Sequence, residues 1–62
     1  MKISKHYREG YNNFRRCSET VLILAKSYNN IEDMPKRFKD MSDGVAQALI
    51  DTQNGTYKFI LN

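Results

Sequence analysis

Seven positions in the first half of this chain fall on one line: Tyr7, Tyr11, Phe14, Ser18, Val21, Ala25 and Tyr28. The steps between them alternate four and three, which is the seam of a helix that packs along its length against another helix. A second seam of the same rhythm runs through Met34, Phe38, Met41, Val45, Ala48 and Thr52. Two such seams in one short chain predict a mainly α fold. The expected architecture is an antiparallel helical hairpin, with helices over about residues 4–28 and 33–53.

The boundaries follow from local chemistry. Ser4 is placed to cap the first helix, and Asp33 is placed to cap the second with Pro35 in its first turn. Gly10 is a weak point in helix 1, and the alternative to one helix is a separate turn or short helix over 5–11 with the next helix beginning near Asn12. Ser42-Asp43-Gly44 interrupts helix 2 with poor helix formers, predicting a kink there or a division into two short helices. Asn29-Asn30-Ile31-Glu32 reads as a loop. Gly55 suits the left-handed position after a helix end. The following Thr56-Tyr57-Lys58-Phe59-Ile60-Leu61 is rich in β-formers and reads as a strand over 56–61. Asn54-Gly55 also fits the turn of a C-terminal β-hairpin, which would make the fold α+β, with residues 48–53 as its first strand.

The hairpin is an incomplete structure by itself. At about 100° per residue, Leu22, Ile23 and Leu24 point to three sides of helix 1, and Ile23 lies nearly opposite the seam. The lone strand has only Met1-Lys2-Ile3 to pair with inside the chain. At 62 residues, a single domain buries a small core worth only about 3–5 kcal/mol. Cys17 is the sole cysteine and His6 the sole histidine, so neither an internal disulfide nor a zinc cluster reinforces that core. A second copy of the chain is the expected reinforcement. Tyr7, Tyr11, Phe14, Val21, Ile23 and Tyr28 are the candidate dimer interface.

The same inventory bears on function. No glycine-rich phosphate loop, zinc spacing or nucleophile elbow occurs, so no enzyme, cofactor or small-molecule substrate is expected. Cys17 lacks a base at helical spacing and reads as a small core residue. The longest apolar run, Val21 to Ala25, is far short of a membrane span. With one free thiol and no signal-peptide pattern, a cytoplasmic protein is expected.

Binding is what remains. Tyr57 and Phe59 on one face of the strand, with Arg15 and Arg16 on helix 1, are the residue types that anchor protein interfaces. The net charge of +3 is mild, but Lys5, Arg8, Asn12, Arg15 and Arg16 cluster away from the seam, where they could track phosphates. A helix-turn-helix over Glu32–Asp51 would present only Gln47 as a good base reader. Arg15-Arg16-Cys17 and Tyr57-Lys58-Phe59-Ile60 resemble stretches of the Hha/YmoA family of small nucleoid-associated modulators. The segment between them is shorter than in that family, and no function is carried over.

The leading expectation is therefore a non-enzymatic, homodimeric protein-binding module. It would act as a regulator or inhibitor on a larger macromolecule, as small accessory proteins of phages and mobile elements do. The alternative is a small basic DNA-binding regulator.

Overall fold

The computed structural model describes residues 3–28 and 31–61. It is mainly helical, with α1 (Lys5–Asn12), α2 (Phe14–Ser27), a short 3-10 helix (Ile31–Asp33) and α3 (Lys36–Asn54). Ser4 caps α1 as expected, its hydroxyl accepting from the Tyr7 N–H at 3.1 Å.

The single helix expected over 4–28 is divided, and the break falls at Asn13, close to the alternative in which the longer helix begins near Asn12. Asn13 sits at φ −120° and ψ 38°, outside the helical well. Its N–H donates to Glu9 O at 2.9 Å to close α1, and its carbonyl accepts from Arg16 and Cys17 N–H to open α2. Two consecutive asparagines are a natural place for this, since both compete with the helix through their side chains.

Gly10 and Gly44 are the pivots of the fold. Both lie inside helices and both are buried. A Cβ on Gly10 would collide with the backbone of Met41 in α3. A Cβ on Gly44 would collide with Tyr7 O and Tyr11 N in α1. The two helices thus touch backbone to backbone, and the two residues of poorest helix propensity are the ones that permit it. The division into two short helices at Ser42-Asp43-Gly44 does not occur, and α3 runs through it as one helix.

The antiparallel hairpin gives way to a three-helix arrangement. The Ser4 hydroxyl is near enough to Asp40, at the start of α3, to favour its carboxylate, and Tyr11 reaches Asp51 near the end of α3. So α1 and α3 cross with their N-termini on the same side. The start of α2 lies beside the end of α3, where Arg15 and Arg16 share a cleft with Thr52 and Gly55. Tyr11, Cys17, Met34, Val45 and Ala48 form the buried core, so both seams supply it. Each seam fades at one end, for Ala25 and Thr52 are exposed.

Asp33 does not cap α3. It belongs to the 3-10 helix, and α3 starts after Pro35, whose carbonyl accepts from Phe38 and Lys39 N–H. At the other end Gly55 takes φ 74°. Its N–H donates to Thr52 O and that of Thr56 to Asp51 O, the paired bonds of a Schellman cap.

Residues 48–53 are helical, which removes the C-terminal β-hairpin alternative. Residues 56–61 form no strand. Their backbone is satisfied in another way: Asn12 Nδ2 donates to Ile60 O, and Ile60 N–H donates to Asn12 Oδ1, both at 2.8 Å. One amide can bond both backbone groups of one residue only where that residue is extended. The Asn12 side chain therefore does the work of a neighbouring strand. Residues 1 and 2, part of the expected intramolecular pairing partner, and residues 29 and 30 of the expected loop lie outside the described residues.

Candidate functional site

The break at Asn13 brings the end of α1, the start of α2, the end of α3 and the C-terminal tail to one place. Tyr57 organises it. Its ring stacks on Tyr11 at 5.0 Å between centroids and meets Phe14 at 5.4 Å, tilted 58°. Its hydroxyl donates towards the Tyr11 and Asn12 carbonyls, at 3.3 and 3.4 Å. These are carbonyls in the last turn of α1, where the helix supplies no N–H of its own.

Tyr11 is the hub beneath. Its hydroxyl donates to Asp51 Oδ2 at 2.6 Å and accepts from the Lys58 N–H at 3.3 Å. Gln47 donates to the other oxygen of Asp51 at 2.9 Å. The Tyr11 hydrogen bond, with that from Gln47 second, holds the Asp51 carboxyl below its ordinary value of 3.8. The same bond to Asp51 raises the Tyr11 phenol above its ordinary 10.0, burial adding to it. Tyr7 stacks behind Tyr11 at 6.4 Å. Its phenol is also raised, by burial first and then by the charges of Asp51 and Asp43.

An open cleft of about 590 Å3 lies at this junction, with Phe14 and Tyr57 as its aromatic wall and Arg15 and Arg16 on α2 beside them. The Arg15 guanidinium stands 5.7 Å from the Phe14 ring centroid, a cation–π contact. Neither arginine has an ion-pair partner among the described residues, where Lys36–Asp40 is the salt bridge found. Asn13 turns its side chain back to Glu9 O at 3.4 Å and leaves the first turn of α2 without a side-chain cap.

Of the residues expected to bind a partner, Arg15, Arg16 and Tyr57 therefore share one cleft, with Tyr57 half-buried in the aromatic stack. Phe59 stands apart and exposed. Of the basic set, Lys5 and Arg8 lie on α1, Arg15 and Arg16 lie on α2, and the amide of Asn12 is spent on Ile60. Of the expected dimer residues, Tyr11 is buried in its own chain, while Tyr7, Phe14, Val21 and Tyr28 are half-buried. Ile23 is 66% exposed.

Cys17 is buried, with its Sγ–H directed at Glu9 O at 3.8 Å. Burial first, and then the Glu9 carboxylate, push its thiol above the ordinary value of 9.0. Sequence reasoning overlooked Asp51 as the partner of Tyr11. The signal was present, since Gln47 stands four residues before it on one helix face, but nothing local pointed to a residue forty positions away.

No helix among the described residues is long and apolar enough to cross a membrane. No family model, curated protein or solved structure matches the chain.

Proposed function

We propose that this chain is a non-enzymatic protein-binding module of the cytoplasm, self-associating, that regulates or inhibits a larger macromolecule by occupying part of its surface. The observation that carries the reading is the cleft at the helix break. There two arginines without ion-pair partners border an aromatic wall held rigid by stacking and by the Tyr57 hydroxyl. Arginine and tyrosine in a pre-organised setting supply binding energy at low entropic cost. Self-association is supported by the exposed apolar side chains Leu22, Ile23, Leu49 and Ile50 on a chain with so small a core.

The DNA-binding alternative has less support, because the basic residues are split between two helices and Asn12 is occupied by the tail. The test is affinity capture from the source cell with the wild type beside the Arg15→Glu/Arg16→Glu variant, with Lys39→Glu as control. A protein held by the wild type and the control but lost from the double variant supports the reading. Equal capture by all three rejects the cleft as the binding site. Binding of random duplex DNA that weakens steeply with salt would favour the alternative.

A further inference from the structure

The outward face of α2 is chemically self-complementary. Leu22 is 61% and Ile23 66% exposed, side by side in the middle of a helix whose opposite face, through Cys17, Val21 and Leu24, is turned inward. Glu19 precedes this pair and Lys26 follows it at equal distance along the chain. At about 100° per residue, Glu19 and Lys26 point between Leu22 and Ile23, on the same outward side. Both are exposed. Neither forms a hydrogen bond or an ion pair among the described residues.

We infer that this face is where a second copy of the chain docks, with the two α2 helices antiparallel about a two-fold axis between Leu22 and Ile23. The inference rests on the self-association proposed above and gives it a surface and an orientation. A two-fold interface must present the same patch from both sides. Turning α2 end over end about that point lays the Leu22–Ile23 pair on its own copy. It also sets Glu19 against Lys26 of the second copy, and Lys26 against Glu19. The apolar pair is covered and both charges are neutralised, twice over. A parallel pairing in the same register would instead oppose Glu19 with Glu19 and Lys26 with Lys26, which repel. Charge thus selects the antiparallel orientation, much as flanking charges do in coiled coils. Arg15 and Arg16 lie in the first turn of α2, nearer its start than Glu19.

Sedimentation equilibrium on the full chain, at low salt and from about 10 µM to about 1 mM, tests this, a range suited to an interface of this small size. The wild type is expected to dimerise. Ile23→Asp should leave it monomeric with its helical circular dichroism retained, since Ile23 is exposed and lies outside the buried core. Glu19→Lys alone and Lys26→Glu alone should each weaken self-association by about tenfold, as each turns two attractive contacts into repulsive ones. An equimolar mixture of those two variants should form a heterodimer of about wild-type strength, because both of its contacts are again attractive. The charge variants touch no core residue, so they report even if Ile23→Asp fails to fold. A wild-type dimer unaffected by any of these changes, or a mixture no tighter than its components, would overturn the α2 interface while leaving self-association standing. A wild type that stays monomeric throughout would overturn both.

Discussion

Helices α1 and α2 invert the ordinary relation between apolar content and burial. α1 has eight residues and is strongly polar, yet Gly10 and Tyr11 are buried, and Tyr11 and Asn12 tether the C-terminal tail. α2 has fourteen residues and carries the longest apolar run of the chain. Cys17 alone of them is buried, and Leu22 and Ile23 face outward. The difference lies in how closely each helix approaches α3. At α1 two glycines let backbones meet, so the helix packs closely on α3. At α2 no such residue exists, and side-chain bulk keeps part of an apolar helix free for other contacts.

The largest expected effect breaks the close crossing. In an exposed helix interior, Gly→Ala gains about 1 kcal/mol. Here Gly10→Ala and Gly44→Ala should each destabilise, because the new methyl group meets backbone, which cannot rotate away. Overpacking of this kind costs about 1–3 kcal/mol, a large part of the stability of so small a core. Urea titration followed by circular dichroism measures it. A rise in midpoint for either variant would show that α1 and α3 do not touch at these residues.

Next is the tether. Asn12→Ala removes two hydrogen bonds to Ile60, and Tyr11→Phe removes those to Asp51 and Lys58. Each should cost about 1–2 kcal/mol. They differ in a second measurement. Asn12→Ala should raise the hydrogen-exchange rate of the Ile60 amide towards that of an unprotected residue, while amides in the middle of α3 slow or quicken only with global stability. An Ile60 amide that exchanges freely in the wild type would mean the tail is not held.

This tether also shows where sequence reading stops. The helical class, the Ser4 cap and the left-handed Gly55 are all local, and all were legible from spacing and propensity. The β-forming composition of residues 56–61 is real as well, and the Ile60 backbone is indeed extended. What pairs with it is a side chain forty-eight positions earlier, and no periodicity encodes that. The division of helix 1 has the same origin. Asn12 and Asn13 are weak helix formers, but Gly10 is weaker still by propensity. The chain breaks at Asn13, where Asn12 serves the tail, and stays helical at Gly10, where the close approach to Met41 requires a glycine. For the candidate site, Arg15, Arg16 and Tyr57 could each be singled out by residue type. Their meeting in one cleft depends on the break, which tertiary contacts decide.

The acid and alkaline flanks of stability should share a source in the Tyr11–Asp51 hydrogen bond. The Asp51 carboxyl is lowered on folding, so its contribution is present above the ordinary 3.8 and is lost as pH falls through the folded value. Asp40, lowered by Lys36 first and Ser4 second, adds to the loss on the same side. The Tyr11 phenol is raised, so its contribution is intact below the ordinary 10.0 and is lost as pH rises through the folded value. Melting temperature against pH should form a plateau that falls at both ends. Tyr11→Phe should lower the plateau and flatten both falls, whereas Asp40→Asn should soften the acid side alone. Parallel profiles for wild type and Tyr11→Phe would mean that the hydroxyl does not control the titration of Asp51.

The smallest effect is expected at Cys17, and it completes the contrast between the helices. Cys17 is the most buried residue of α2, yet its removal should be milder than adding one methyl group to α1. Cys17→Ala deletes a single sulfur with a long, weak contact to Glu9 O, and should cost about 1 kcal/mol. The thiol itself should be quiet. Burial and the Glu9 carboxylate both disfavour the thiolate, and only the Arg16 charge opposes them. At neutral pH an exposed thiol of ordinary pKa reacts readily with disulfide reagents, whereas Cys17 should react only as fast as the chain opens. The logarithm of its rate should therefore rise in Gly10→Ala and Gly44→Ala in proportion to their loss of stability. A rapid, stability-independent reaction would place Cys17 on the surface, and the inward face of α2 would have to be assigned anew.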